Sequence, residues 1–237
     1  MKIIAADHPR YLPDIFFFHK MARAEVFVLA DDLQFSRHGL INRCRIKTVT
    51  GASWLTAPVL TKGRGVQSIR EVTINNALDW QRQHWRAFEV NYRRTPYFLK
   101  YADLLAEFYE RPFERLLDLN VAAIQMLCGF LNLNTTIRFT SEFPARLRGT
   151  QRVAHVVRQL EGNVYLAAGS DDWNSLKPEV LERANIEVCH AAFTPPVYHQ
   201  AFGDFVHELS ILDLLFNEGD EYFSAWLPGL HEHSNPE

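Results

Sequence analysis

The loop Asp7-His8-Pro9-Arg10-Tyr11-Leu12-Pro13 brings a carboxylate, an imidazole, a guanidinium and a phenol into one short stretch. An imidazole ordinarily titrates near neutrality, so His8 fits the work of a general base or acid, with Asp7 or Asp31 orienting its ring. The competing reading is a turn in which the prolines set the backbone and His8 makes one structural hydrogen bond.

A second group, Asp31-Asp32-Leu33-Gln34-Phe35-Ser36-Arg37, follows the next apolar run. Adjacent carboxylates could hold Mg²⁺ or polarise a hydroxyl or amine, but Asp is also a common turn-capping residue, and no metal is assigned. In Asn42-Arg43-Cys44-Arg45-Ile46-Lys47, strand alternation sends Arg43, Arg45 and Lys47 to one face and Asn42, Cys44 and Ile46 to the other. Such a strip suits a phosphate or diphosphate, because arginine offers a two-pronged donor geometry; the solvated outer face of a hairpin is the alternative. Nothing around Cys44 signals the lowered pKa that a nucleophilic thiol needs.

Further along, Tyr165 to Asp172 ends a strand with small and acidic residues. Tyr198-His199-Gln200 lies in an irregular stretch after Pro195-Pro196, and His199 is the second candidate base. Asp213 fits the capping-box position of a helix that Ser210 starts and Gly219 ends. Trp80, His84 and Phe88 recur at helical spacing and read as a packed face rather than a stacking platform. His231 and His233 read as a solvated end. The candidate catalytic set is therefore His8, Asp7 and Asp31. The candidate binding set is Tyr11, Asp32, Gln34, Asn42, Arg43, Arg45, Lys47, Tyr198, Gln200 and Asp213.

These residues need elements to position them. Residues 2–6 read as a buried strand, Ile15 to Ala24 as a helix and Glu25 to Leu29 as a second strand, so both polar loops begin where a strand ends. Ligands of open α/β sheets bind beyond the carboxyl ends of the strands. Asn42–Thr48 and Ser53–Val59 predict two strands, and Ser68–Ile74 a third, in a small antiparallel insertion. Asp79 to about Leu131 predicts three consecutive helices. After Asn134 the rhythm becomes strand (Thr136–Thr140), helix (Gln151–Glu161), strand (Val164–Ala167), helix (Pro178–Ala184) and strand (Ile186–His190), which predicts a parallel sheet. The fold class is α/β, with a Rossmann-like parallel core, a β-hairpin insertion and a helical layer. Residues 1–230 read as a single composite domain, followed by a loose tail.

At 237 residues the chain is long enough for a substantial core, and its 47% hydrophobic and 22% charged composition is that of an ordinary globular protein. A net charge of −3 argues against a surface that coats nucleic acid. Three cysteines without a CxxC pair read as reduced thiols rather than a disulfide framework or zinc knuckle. With no apolar run long enough for a membrane span, the expectation is a cytoplasmic protein.

Four stretches, DHPRYLPDIFFFHKMARAEVFVLADDLQFS, INRCRIK with SWLTAPV, VYLAAGSDDW, and VYHQAFGDFVHELSILDLLFNEG, resemble the WbqC-like family. Its members open on His-Gln-Pro-x-Tyr-Leu-Pro; aligned on Pro9, Tyr11, Leu12 and Pro13, this chain carries Asp7 at the histidine and His8 at the glutamine. Asn42, Arg43, Ile46 and Lys47 match the family's Asn-Arg-Asn-x-Ile-Lys pattern, and Cys44 replaces its second asparagine. The resemblance implies a role in building surface polysaccharides or natural products, by acyl, aminoacyl or glycyl transfer to an amine. The implied partners are a small-molecule amine or nucleotide-linked amino sugar and an activated acyl donor, with aminoacyl-tRNA among the donors it admits. No cofactor is assigned. Two other classes remain open on the residues alone: an ATP- or nucleotide-handling ligase or nucleotidyl transferase, and a non-catalytic nucleotide-sugar-binding protein.

Overall fold

The computed structural model describes residues 1–167 and 175–227. The chain opens β1 (Ile3–Asp7), α1 (Ile15–Ala22), β2 (Val26–Leu29). Asp14 starts α1 by accepting the Phe17 N–H, and β2 is buried along its whole length, as expected of a strand covered on both faces. Next come the hairpin β3 (Arg43–Thr48) and β4 (Gly51–Thr56), and the short pair β5 (Val59–Leu60) and β6 (Thr73–Ile74). Three helices follow, α2 (Trp80–Tyr92), α3 (Phe98–Glu110) and α4 (Leu116–Phe130).

The chain then returns to the sheet through β7 (Thr136–Phe139), α5 (Gly149–Gln159), β8 (Val164–Ala167), α6 (Pro178–Glu182) and β9 (Glu187–His190). It finishes with α7 (Ile211–Glu218) and α8 (Asp220–Ala225). The five sheet strands lie in the order β7-β2-β1-β8-β9, and every neighbouring pair is parallel. The fold is α/β with a Rossmann-like core.

Strand alternation divides the core into two layers. Ala5, Phe27, Leu29 and Leu166 face the layer built with α1, the three-helix insertion and α7. Ile4, Val26, Val28 and Tyr165 face α5 and α6. Gly162, between α5 and β8, is required here: an added Cβ would stand 2.4 Å from the Ile4 side chain.

Two expectations change. The third antiparallel strand shrinks to Thr73–Ile74, because both the Ser68 N–H and the Ser68 hydroxyl donate to the Glu71 carboxylate and curl Ile69–Glu71 into a 3₁₀ turn. Gly219 ends one helix and caps the start of another, so α8 follows where the sequence reading placed no element.

Candidate functional site

Numbered by their appearance in the chain, the sheet strands run third, second, first, fourth, fifth, so the order of build-up reverses between β1 and β8. Open α/β sheets bind ligands at such a reversal, beyond the carboxyl ends of the strands. A cleft of about 1060 Å³ opens there. The end of β1 contributes Asp7, His8 and Arg10, and α1 contributes its cap Asp14 with His19 and Lys20. The β3–β4 hairpin adds Arg45 and Trp54, the start of α5 adds Thr150 and Arg152, and the end of β9 adds His190.

His8 stands at this strand end with its side chain 48% exposed, and its Nδ1 lies 3.9 Å from an Asp7 carboxylate oxygen. That separation is too long for a hydrogen bond, so the carboxylate and the ring are neighbours without a bond between them. Asp7 itself is occupied: it accepts the His8 backbone N–H at 2.7 Å and is gripped by both the Nε and Nη2 of Arg10. Burial opposes ionisation of Asp7, but Arg10, Lys20, His8 and the backbone N–H together hold its carboxyl below the ordinary value. Burial pushes Asp14 the other way, and Arg10 at 3.6 Å offsets this only in part. Lys20 donates to the Ala6 carbonyl at the end of β1. His19 stacks on Phe193 with ring centres 4.0 Å apart, and burial lowers its pKa to about 4.

Of the candidate residues, Asp7, His8 and Arg45 line the cleft. Asp31 and Asp32 do not chelate a common point. Asp31 accepts the Ser141 N–H and hydroxyl, Asp32 pairs with Arg152, and the Thr140 hydroxyl lies 2.6 Å from Asp32 and 3.1 Å from Asp31. Asp31 thus fastens the loop after β2 to the loop after β7, and of the two carboxylates expected to orient the His8 ring it is Asp7 that stands beside it. Gln34 is exposed. Asn42 is buried and donates to the Ala57 carbonyl, while Arg43 donates to the Gly39 and His38 carbonyls. Burial raises the Cys44 thiol well above its ordinary value, the reverse of what a nucleophile needs.

Two polar networks claim the rest. Tyr11 is buried with its hydroxyl 2.9 Å from His84 Nδ1 and 2.7 Å from the Tyr109 hydroxyl. In the second, the Asp213 carboxylate accepts the hydroxyls of Tyr92 at 2.8 Å and Tyr198 at 2.7 Å, so it serves a contact across the fold rather than its own helix cap. The strip of three cations is really a pair. Lys47 is only 2% exposed and donates to Gln200 Oε1 and to the Asp204 carbonyl. Gln200 also brackets Val206, accepting its N–H and donating to its carbonyl. Together these bonds pin the segment before α7 against β3.

Sequence reasoning missed Asp14, Lys20, Trp54, Arg152 and His190 as cleft residues. A signal existed for some of them: β7 precedes α5 in the predicted alternation, so the start of that helix had to reach the same sheet edge. The acidic loop Gly169 to Asp172 and the pair His231 and His233 lie outside the described residues. Among the described residues no group of three or more His, Cys, Asp or Glu side chains is arranged to hold a metal ion.

The model of the WbqC-like protein family matches residues 8–225. The chain belongs to this family. An uncharacterized protein of Mycobacterium tuberculosis is 34% identical over 223 residues, covering 93% of this chain and 96% of the relative. No solved structure matches. The match begins at His8, one of the residues lining the cleft, and among the described residues no helix is long and apolar enough to cross a membrane.

Proposed function

We propose that this WbqC-like chain is an enzyme that transfers an acyl or aminoacyl group to the amine of a small molecule, a nucleotide-linked amino sugar being the best fit to its family's setting. One observation carries the reading: an accessible imidazole, His8, beside an ionised carboxylate, Asp7, in a cleft at the reversal point of the sheet. The acceptor nitrogen forms a bond to the acyl carbon, the bond to the donor's leaving group breaks, and the amine proton passes to His8. Asp7 stabilises the imidazolium. Arg10 and Arg152 are paired with Asp7 and Asp32, so the loosely held Arg45 is the wall arginine left to meet an anionic group of the substrate. We read residues 1–230 as one composite unit working in the cytoplasm. The test is mass spectrometry of amino-sugar nucleotides incubated with activated acyl donors, aminoacyl-tRNA included, where a product heavier by one acyl group supports the reading. His8→Gln should lower the rate by roughly 10²- to 10⁴-fold.

The strand order itself favours a second reading, ATP- or nucleotide-dependent ligation, because nucleotides are typical ligands of such a reversal point. Release of pyrophosphate or ADP coupled to turnover would favour it; turnover with neither excludes it.

A further inference from the structure

Trp54 stands 45% exposed on the rim of the cleft. The hairpin register sets it directly across from Arg45. Arg43, its diagonal neighbour, lays its guanidinium over the indole 4.2 Å from the ring centre, and that of Arg45 lies 5.9 Å away. The main chain braces the stack: Arg43 is tied to the carbonyls of Gly39 at 3.2 Å and His38 at 2.5 Å. Arg45 is held more loosely, by the His207 carbonyl at 3.5 Å and by Glu208 at 3.7 Å, whose side chain is largely in solvent.

A flat aromatic face fixed by one cation, with a second and less committed cation beside it, complements a ligand that joins a planar ring to an anion. We propose that Trp54, with Arg43 against it and Arg45 beside it, is the stacking platform for the base of a nucleotide whose phosphate pairs with Arg45. This deepens the reading of the cleft as the substrate site and rests on it. It also moves the phosphate-binding role away from Lys47, which is spent inside the fold.

The test is calorimetric titration of the whole protein with uridine and adenosine monophosphates, against ribose 5-phosphate and inorganic phosphate as ligands without a base. Wild type should bind the nucleotides more tightly than ribose 5-phosphate. Trp54→Ala should weaken nucleotide binding about 5- to 150-fold, the range expected for loss of one base stack, and Trp54→Phe should restore most of it. Arg45→Ala should weaken binding of the two monophosphates more than that of uridine and adenosine, titrated alongside as ligands without a phosphate. His8→Gln should bind nucleotides like wild type, so failure of the catalytic reading and failure of the platform are read separately. Equal affinity for ribose 5-phosphate, unchanged nucleotide binding in Trp54→Ala, or no nucleotide binding at millimolar concentration would each overturn the proposal. A melting curve of each variant establishes that this surface substitution leaves the fold intact.

Discussion

The Arg10 guanidinium spans the Asp7 carboxylate, its Nη2 lying 3.0 Å from one oxygen and 2.9 Å from the other. The acid beside His8 is therefore already paired, and it lies 3.9 Å from the imidazole without a hydrogen bond to the ring.

That pairing sets a first prediction. Asp7→Asn leaves a mostly buried guanidinium with only the more distant Asp14, and should cost about 3 kcal/mol at neutral pH. Asp7 has its folded pKa held below the ordinary 3.8, so its contribution is present above about pH 4 and lost as the pH falls through the folded value. Urea melts of wild type and variant should differ at neutral pH and converge in acid; a gap independent of pH contradicts the assignment.

His84 and His19 are both depressed to about 4, chiefly by burial. The unfolded chain takes up these protons first, so their contribution is complete above pH 6.5 and declines as the pH falls toward 4, by about 3 kcal/mol for His84 alone. NMR of the ring protons should show both imidazoles neutral through pH 5.5. A midpoint above pH 6 for either ring would contradict this.

Asp213 separates structural from functional use. Asp213→Ala strands the hydroxyls of Tyr92 and Tyr198 and removes the charge facing Lys47, and should cost about 3–5 kcal/mol, whereas Tyr198→Phe should cost about 1. Thermal melting reads the difference. An Asp213→Ala protein that melts like wild type yet loses substrate binding would place Asp213 in recognition instead.

Gly219 joins α7 to α8 at φ +80°, where a side chain is strained, and an added Cβ would meet the Tyr97 ring at 3.1 Å. Gly219→Ala should lower stability by about 1–3 kcal/mol. A melting temperature equal to wild type would show that the joint relaxes without cost.

The sheet was legible because buried parallel strands are short apolar runs ended by polar loops; β8 occupies the predicted residues, Val164–Ala167. The 3₁₀ turn at Ile69–Glu71 was not, because one carboxylate hydrogen-bonding pattern overrode strand propensity there. At the site, His8, Asp7 and Arg45 were readable from strand-end placement and alternation. Tyr11, Lys47, Tyr198, Gln200 and Asp213 look equally functional in one dimension, and their partners are remote: Tyr11 meets His84 seventy-three residues on, and Asp213 meets Tyr92 across a separation of 121. Trp54 reaches the cleft only through the folding of its hairpin, so local spacing carried no sign of it.

We propose His8 as the base of an acyl transfer in this cleft. The most direct test is the single-turnover rate of acceptor acylation by wild type and His8→Gln, with the melting temperature of each. His8 makes its one described hydrogen bond through its backbone N–H, so the variant should melt like wild type and turn over roughly 10²- to 10⁴-fold more slowly. A folded His8→Gln protein that acylates its acceptor at the wild-type rate would contradict the account.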